Sequence, residues 1–536
     1  MANSDWKSVV QEKRLQRERA IDEVKAILGP ELLANPPVND TDDIETLASK
    51  IAGGDLTSEE VTKACIARAI KAHEKTNCLT EVLFFQAIND AKRLDEYMSK
   101  HGKPIGPLHG VPMTLKDQFN VKGYDTTLGY AGRALKPASA DSVLVAMLRK
   151  LGAVIIAKTN LPQSIMWCET ENPVWGLTTN PMNPKYTPGG STGGESALLY
   201  MEGSLMGWGT DIGGSIRIPA HMMGLYGLKP SSSRLPYYGV PVSTEGQEHV
   251  PSSIGPLART LSSITKVMHD VITSEPWTQD SRCAPIPWRS SIYDSTLAKP
   301  LTIGLLLDDG VVRPHPAILR VVRQAASLLK AAGHEIVEWS SSLHPECVEV
   351  MDMFYTVDGG EDIRRDVAAG GEPFIPHVER LVNKGTAVSV YDYWQLNRRK
   401  VALQQAYLEK WNGTVSAATG RQVDAVLMPV MPHPAVPHEA CRWVGYTKVW
   451  NFLDYTALVL PGGKVEAGDC AVAWEYEARN VMDEWNAKVW RENKVDMADM
   501  GLPVGIQIVG RKLEEEKVLA VGKVVDDLLA VQRESK

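Results

Sequence analysis

Two glycine-rich loops, each carrying a serine, constrain the fold and chemistry of this chain more than any other feature. The first runs from Gly189 to Glu195 and holds Ser191; the second runs from Gly209 to Pro219 and holds Ser215. Glycines let backbone N–H groups approach a reacting atom, because no Cβ stands in the way. A serine in such a loop is well placed as a nucleophile, with the neighbouring N–H groups as an oxyanion hole.

A serine nucleophile needs a base, and Lys116 is the best upstream candidate. It follows the apolar run 111–115, which predicts a short buried strand with the lysine at its end. Free lysine has a pKa of about 10.4, but burial disfavours the ammonium form and lowers that pKa. Two simpler interpretations are a surface lysine at a strand end and an ion pair with the adjacent Asp117. The presence of the two serine loops favours the interpretation of Lys116 as a catalytic base.

The first loop also matches the G-x-S-x-G turn of the α/β-hydrolases, over residues 189–193. That turn requires an apolar strand directly before its serine. Here Pro181, Pro184 and Pro188 precede Ser191, and prolines exclude a central strand. The hydrolase-elbow interpretation therefore fails. A purely structural role for two glycine-rich turns is the remaining alternative.

Strand and helix patterns alternate along the chain, which predicts one large α/β unit with an added lobe. The 536 residues, 44% of them hydrophobic, are ample for a large core. The predicted strands are 153–157, 301–307, 335–339, 423–428 and 502–509. The predicted helices include 142–151, 195–206, 317–332 and 513–529.

The first part of the chain predicts a separate helical arm. Residues 5–28 combine a helical spacing of apolar residues with many charges of both signs, and the arm is assigned to 1–45. A helix lying on a membrane surface is the alternative, but the mixed charges favour an arm packed on the main domain. The main domain is assigned to 46–536, with a helical insertion over 340–420.

Charge and cysteine content exclude several functional classes. The net charge of −8 and the lack of a basic run argue against nucleic-acid binding. Seven scattered cysteines without a C-x-x-C motif indicate reduced thiols and a cytoplasmic protein, not a disulfide framework. No H-E-x-x-H motif or other metal spacing occurs, so we expect neither a metal nor a cofactor. No apolar run approaches membrane-spanning length.

The segment 189–219 is very similar to the signature motif of the amidase signature family. The likeness extends through residues 159–162, 227–230 and 501–507, and covers roughly residues 50 to 530. Within that family, the length and the N-terminal arm resemble the fungal acetamidases and general amidases. Residues 160–165 also resemble the fatty acid amide hydrolases, whose N-terminal membrane helix has no counterpart in this sequence.

The resemblance implies an α/β fold with a large, mixed, twisted β-sheet flanked by helices. It also implies a Ser–Ser–Lys triad, with Ser215 as the acylated nucleophile, Ser191 as the bridging serine and Lys116 as the base. In the family, the bridging serine follows a cis peptide bond, which here joins it to Gly190.

The same resemblance assigns the residues around the triad. The N–H groups of residues 212–215, namely Ile212, Gly213, Gly214 and Ser215, are expected to hold the oxyanion. Asp211 and Arg217 are expected to hold this loop, and Ile165 to line the substrate side. Thr192 stands where the family has a second serine; it keeps the hydroxyl but has fewer rotamers.

The implied activity is hydrolysis of carboxamides to a carboxylate and ammonia or an amine, through an acyl-enzyme. Two alternatives stay open: a fatty acid amide hydrolase-like enzyme, and the amidase subunit of a tRNA-dependent amidotransferase. We expect the protein to bind a small-molecule amide and to have no membrane-spanning segment. A homodimer is left open. Acyl-chain length cannot be read from the motifs; Met166 and Trp167 are either pocket walls or core residues.

Overall fold

A large β-sheet runs through the protein. The computed structural model of the chain describes residues 5–37, 41–474 and 476–534. The strands are β1 (Leu79–Val82), β2 (Pro112–Lys116), β3 (Val154–Thr159), β4 (Glu171–Asn172), β5 (Gly176–Leu177), β6 (Met206–Asp211), β7 (Tyr226–Lys229), β8 (Ser253–Ala258), β9 (Thr302–Leu305), β10 (Glu335–Glu338), β11 (Ala425–Pro429), β12 (Ala457–Lys464) and β13 (Pro503–Val509).

Within these described ranges, the main sheet has eleven strands in the order β1-β3-β2-β6-β8-β7-β12-β13-β11-β9-β10. Strand β2 pairs in parallel with β3 and β6, and β9 pairs in parallel with β10 and β11. The other neighbours pair antiparallel, and β4 and β5 form a small sheet of their own. The predicted α/β fold with a large mixed sheet is therefore confirmed.

Helices pack along this sheet and around its ends. They are α1 (Trp6–Ala34), α2 (Ile44–Gly53), α3 (Ser58–Thr76), α4 (Phe84–His101), α5 (Val143–Lys150), α6 (Gly193–Tyr200), α7 (Arg217–Met223), α8 (Leu261–Thr273), α9 (Ser290–Leu297), α10 (Pro316–Ala331), α11 (His344–Phe354), α12 (Glu361–Gly370), α13 (Pro376–Val382), α14 (Val390–Gly413), α15 (Gly445–Phe452), α16 (Ala467–Cys470), α17 (Val481–Asp499) and α18 (Glu515–Glu534). Helices α11 to α14 occupy most of the segment 340–420, whose status as an insertion stays a prediction.

The predicted strands β3, β9, β10, β11 and β13 are confirmed, with ends that shift by a few residues. The predicted helix over 195–206 is wrong in its second half, because α6 ends at Tyr200 and Met206 already begins β6. Strands β1, β4 and β5 have no counterpart among the predicted strands, and neither have β6, β7, β8 and β12. Glycines or prolines interrupt the apolar patterns of the last four, for example Gly207 in β6 and Pro256 in β8.

Helix α1 lies against α3 and α4, with an apolar face of Val10, Ile21, Val24 and Leu28 buried. It kinks at Gly29, whose φ of 76° is left-handed and which precedes a proline. Residues 1–4 and 38–40 of the predicted arm lie outside the described residues. Within the described ranges, no helix is both long enough and apolar enough to cross a bilayer.

A buried ion cluster fastens α1 to the main body. Lys13 Nζ lies 2.6 Å from a Glu81 carboxylate oxygen and 2.8 Å from Asp125 Oδ2. Burial alone would lower the pKa of Lys13, but the two carboxylates outweigh it and raise that pKa above its ordinary value. Because a buried charge is costly when unpaired, this cluster specifies where the helix docks.

We expect Lys13→Ala to lower the free energy of unfolding by roughly 3–5 kcal/mol, because it removes the cation that bonds both buried carboxylates. Lys25→Ala is the matched control on the same helix. Its partner Glu74 is 56% exposed, so this pair contributes less than about 1 kcal/mol. Thermal unfolding followed by circular dichroism compares the two variants, and equal shifts in midpoint would contradict the structural role of Lys13.

Candidate active site

Lys116 ends strand β2 and is completely buried. Its Nζ lies 2.6 Å from Ser191 Oγ and 3.0 Å from Thr210 Oγ1. Burial lowers the pKa of Lys116 to about 7, although nearby Asp211 acts in the opposite direction. A substantial fraction of this lysine is therefore a neutral amine near neutral pH.

Gln118 and Thr210 set the direction of the hydrogen bonds around Lys116. Gln118 Nε2 donates to the Pro241 carbonyl at 2.9 Å, and its Oε1 accepts from Thr210 Oγ1 at 2.6 Å. Because the Thr210 proton is committed to Gln118, the Thr210 oxygen accepts from Lys116. The neutral amine then keeps its lone pair for the Ser191 hydroxyl.

Sequence reasoning missed Gln118 and Thr210, although a signal for each was present. Gln118 stands two residues after Lys116, the spacing that places side chains on one side of an extended chain. Thr210 directly precedes Asp211 in the second serine loop. Asp117 points elsewhere: its Oδ2 accepts from the Thr127 and Leu128 backbone N–H groups at 2.9 Å each. The suggested ion pair between Asp117 and Lys116 is therefore not formed; the Asp117 carboxylate instead holds the backbone at Thr127 and Leu128.

The first serine loop follows a segment without a regular strand, as the prolines predicted. The Gly190–Ser191 peptide bond is cis. A Cβ on Gly190 would lie 2.6 Å from the backbone N and O of Glu169, so only glycine fits there. The Thr192 N–H donates to the Ser215 carbonyl at 3.2 Å and joins the two loops. In the described part of the chain, the Thr192 hydroxyl has no hydrogen-bond partner.

The second serine loop folds around the carboxylate of Asp211. Asp211 Oδ1 accepts from the Gly214 N–H at 2.8 Å, and Oδ2 accepts from the Ile216 N–H at 3.1 Å. Ser215 lies between these two residues and faces a cavity. Its Oγ makes no hydrogen bond with any atom of the residues described, so the hydroxyl is open to an incoming molecule.

The Gly214 N–H is already bonded to Asp211, which removes it from the expected oxyanion donors. The backbone N–H groups of Ile212, Gly213 and Ser215 have no acceptor within the described ranges. Two side chains hold the intervening carbonyls: the Tyr355 hydroxyl donates to Ile212 O at 3.1 Å, and Thr447 Oγ1 donates to Gly213 O at 2.6 Å. These contacts fix the peptide groups that carry the free donors.

Arg217 pairs with Asp211 in a fully buried position, at 2.9 and 3.0 Å. All of its guanidinium N–H donors find acceptors; beyond Asp211 these are Asn451 Oδ1, the Thr447 carbonyl and Gln507 Oε1. Burial by itself raises the pKa of Asp211, but Arg217 outweighs it and holds that pKa well below its usual range. The expected loop-holding pair is thus present in the fold.

Glu195 lies in the first turn of helix α6, where its side chain meets strands β2 and β3. It is completely buried, and its carboxyl group accepts from Thr159 Oγ1 at 2.8 Å and also from the Thr114 hydroxyl. Burial raises the pKa of Glu195 to about 8, against the effect of both hydroxyls. A protonated, uncharged side chain therefore supports this part of the sheet near neutral pH.

Ser215 opens on a cavity of about 320 Å³. Ile165, which has a left-handed φ of 60°, lines this cavity together with Met166 and Trp167. Of the two interpretations of Met166 and Trp167, the structure therefore favours pocket walls. The cavity has further lining residues. Its lining also includes Cys168, Gly190, Ile212, Gly213, Ile218, Asp352, Tyr355, His377, Arg380, Leu381, Lys384, Arg442, Trp443, Val444, Lys448 and Met482. Among the residues described, no group of three or more His, Cys, Asp or Glu could hold a metal ion.

Comparison with known proteins gives consistent matches across the chain. The family model described as Amidase matches residues 60–519. The chain is 52% identical over 525 residues to "Amidase 1" of Gibberella moniliformis, covering 98% of this chain and 99% of that protein. It is 42% identical over 488 residues to "Acetamidase" of Emericella nidulans, covering 90% and 88% of the two chains.

Comparison with solved structures also gives a match over almost the whole chain. The fold is similar to that of "Fatty acid amide hydrolase", with a TM-score of 0.83 and 32% sequence identity. That match covers 99% of this chain and 91% of the other.

Proposed function

Because this chain belongs to the amidase signature family and hydrolyses amides, we propose that Ser215, Ser191 and Lys116 form its catalytic triad. The observation that carries the proposal is the 2.6 Å contact between Lys116 Nζ and Ser191 Oγ. It is made where the lysine is completely buried, next to the loop that exposes Ser215 to the cavity.

In the acylation step, neutral Lys116 accepts the proton of Ser191, which in turn accepts the proton of Ser215. Ser215 Oγ bonds to the amide carbonyl carbon, and the carbonyl oxygen becomes an oxyanion. The free N–H groups of Ile212, Gly213 and Ser215 are the donors for that oxyanion. Donors held in place before the reaction stabilise the developing charge without reorganising.

Collapse of the tetrahedral intermediate breaks the carbon–nitrogen bond. Ser191 gives its proton to the departing nitrogen, and Lys116 returns a proton to Ser191, so ammonia or an amine leaves neutral. Water then attacks the acyl-enzyme, with its proton passing through Ser191 to Lys116. The carboxylate product leaves, and Ser215 recovers its proton.

Small and medium carboxamides are the substrates that the cavity favours. Its 320 Å³ lies at the lower end of the range for ligand pockets, roughly 300–1,000 Å³. A fatty acid amide hydrolase-like activity is the second candidate, supported by the apolar wall of Ile165, Met166 and Trp167 and by the structural match. Nothing in the described residues favours an amidotransferase subunit.

The cytoplasm is the proposed compartment, and the state of the cysteines supports it. All seven are free thiols, and all but Cys470 are buried. Fractionation of cells that express the chain would test this assignment.

The homodimer that the sequence analysis leaves open stays a prediction.

Ser215→Ala is expected to abolish covalent labelling by a fluorophosphonate probe and to lower kcat by about 10⁴-fold or more, because the acyl-enzyme cannot form. Ser295→Ala, at an exposed helix position, is the matched control and should label fully. Gel-based labelling and amide hydrolysis measure both variants. Full labelling of Ser215→Ala would remove Ser215 as nucleophile.

With a Lys116 pKa of about 7, kcat/KM should rise between about pH 6 and about pH 8 and then level off, because only the neutral amine accepts a proton. Lys116→Arg, which stays charged, should be inactive, whereas Lys122→Ala at an exposed position should keep the wild-type profile. Glu195 has a pKa of about 8, so the profile is repeated in Glu195→Gln. A rise that disappears in that variant belongs to Glu195 instead.

Acyl-chain length separates the two substrate candidates. For unbranched amides of increasing length, we expect kcat/KM to peak at about two to four carbons and to fall beyond, because the cavity is small. Ammonia release measures each rate. A continued rise toward long chains would favour the fatty amide candidate.

A further inference from the structure

The lining of the cavity carries an excess of positive charge. Among the described lining residues, the cationic side chains are Arg380, Lys384, Arg442 and Lys448, and the one carboxylate is that of Asp352. The chain as a whole has a net charge of −8, so this excess is local. His377 adds no charge, since burial lowers its pKa to about 3 and Arg380 acts in the same direction.

Three of the four cations lie at the opening of the cavity, whereas Lys448 is buried deeper in it. Arg380, Lys384 and Arg442 are exposed, whereas Ile165 and Ser215 are buried. A molecule bound with its reacting group at Ser215 therefore has apolar walls beside it and cations at its far end.

Asp352 does not neutralise the two arginines, because lysines already engage it. Lys448 Nζ lies 2.6 Å from Asp352 Oδ1, and Lys384 Nζ lies 3.9 Å from Asp352 Oδ2. The side chain of Lys448 is only 5% exposed, so this pair is partly shielded from water.

The hydrogen-bond donors of Arg380 and Arg442 have no partner in the described part of the chain. The Arg442 guanidinium stacks over the Trp485 ring, 3.5 Å from its centroid, which positions the group without using its N–H donors. Within the described ranges, neither arginine has a carboxylate within 4.0 Å or donates a hydrogen bond. Burial lowers the pKa of Arg442 and the neighbouring charge of Arg380 lowers it further, while Glu439 and Glu169 act in the opposite direction. Both arginines line the same cavity, so an anion bound there can accept from each of them.

We propose that this amidase prefers amides that carry a carboxylate remote from the scissile bond, bound by Arg380 and Arg442 at the mouth of the cavity. The inference rests on the proposed function, since it assumes that the scissile amide lies at Ser215. Guanidinium groups match the planar geometry of a carboxylate and bond to it with two parallel N–H donors. The apolar wall at Met166 and Trp167 suits the carbon chain between the two ends.

The test compares kcat/KM for matched substrates, namely the half-amides of succinic, adipic and suberic acids against the alkanamides of the same chain lengths. We expect the best half-amide to exceed its alkanamide by on the order of tenfold, as for hydrogen bonds to a charged group. This ratio should fall toward one in Arg380→Gln/Arg442→Gln and partway in each single variant. Arg398→Gln, which removes an exposed charge outside the cavity, is the control and should keep the wild-type ratio.

Added salt should lower kcat/KM for the half-amides and leave the alkanamides unaffected, because the contact is between partly exposed charges. A wild-type ratio of one or less at every chain length, or an unchanged ratio in the double variant, would overturn the proposal. Alkanamide hydrolysis by the wild type, and its loss in Ser215→Ala, reports separately on the triad. If that activity is normal while the ratio stays at one, only the preference for an anion is wrong.

Discussion

At the carboxyl end of β6, the buried pair of Asp211 and Arg217 meets segments from distant parts of the chain. Asp211 accepts from the backbone on both sides of Ser215 and so shapes the loop that presents this serine. The remaining donors of Arg217 reach Thr447, Asn451 and Gln507. A buried ion pair is tolerated only when its other hydrogen-bonding groups are satisfied, and here the guanidinium leaves no donor unused. The geometry of the nucleophile loop is therefore imposed by α15 and β13 as much as by its own glycines.

This pair also explains how two buried cations near one site can differ in charge. Arg217 has a carboxylate in direct contact, which pairs its charge. Among the residues that the structure describes, Lys116 hydrogen-bonds with the hydroxyls of Ser191 and Thr210 and with no carboxylate, so burial dominates and its pKa falls to about 7. Asp211 raises the pKa of Lys116 too weakly to prevent this. The fold thus keeps one cation for structure and makes the other available for proton transfer.

The parts of the fold and the site that could be predicted share one property: their signals are local in sequence. Ser191 and Ser215 stand in glycine-rich loops, Lys116 ends an apolar run, and β3 and β11 are continuous apolar segments. Strand β12 could not be predicted, because Pro461 and the glycines after it break the pattern, and pairing with β7 and β13 supplies the missing support. Tyr355, by contrast, reaches the loop from the position directly after α11, and no spacing in the sequence connects it to that loop. The Gly214 N–H shows what a motif cannot predict. A glycine-rich loop indicates that backbone N–H donors are present, but not that the Gly214 N–H donates to Asp211 and is therefore not available to an oxyanion.

Strand β13 lies between β12 and β11 and carries Gln507, which accepts from Arg217 across a separation of 290 residues. A nascent chain that has already made both serine loops and the lysine still lacks an acceptor for Arg217 and an inner strand of its sheet. Contacts between such distant segments form late, because a long loop must close before they contribute. The nucleophile loop consequently lacks part of its support until the ribosome has synthesised β13, long after it has synthesised both serines and the lysine.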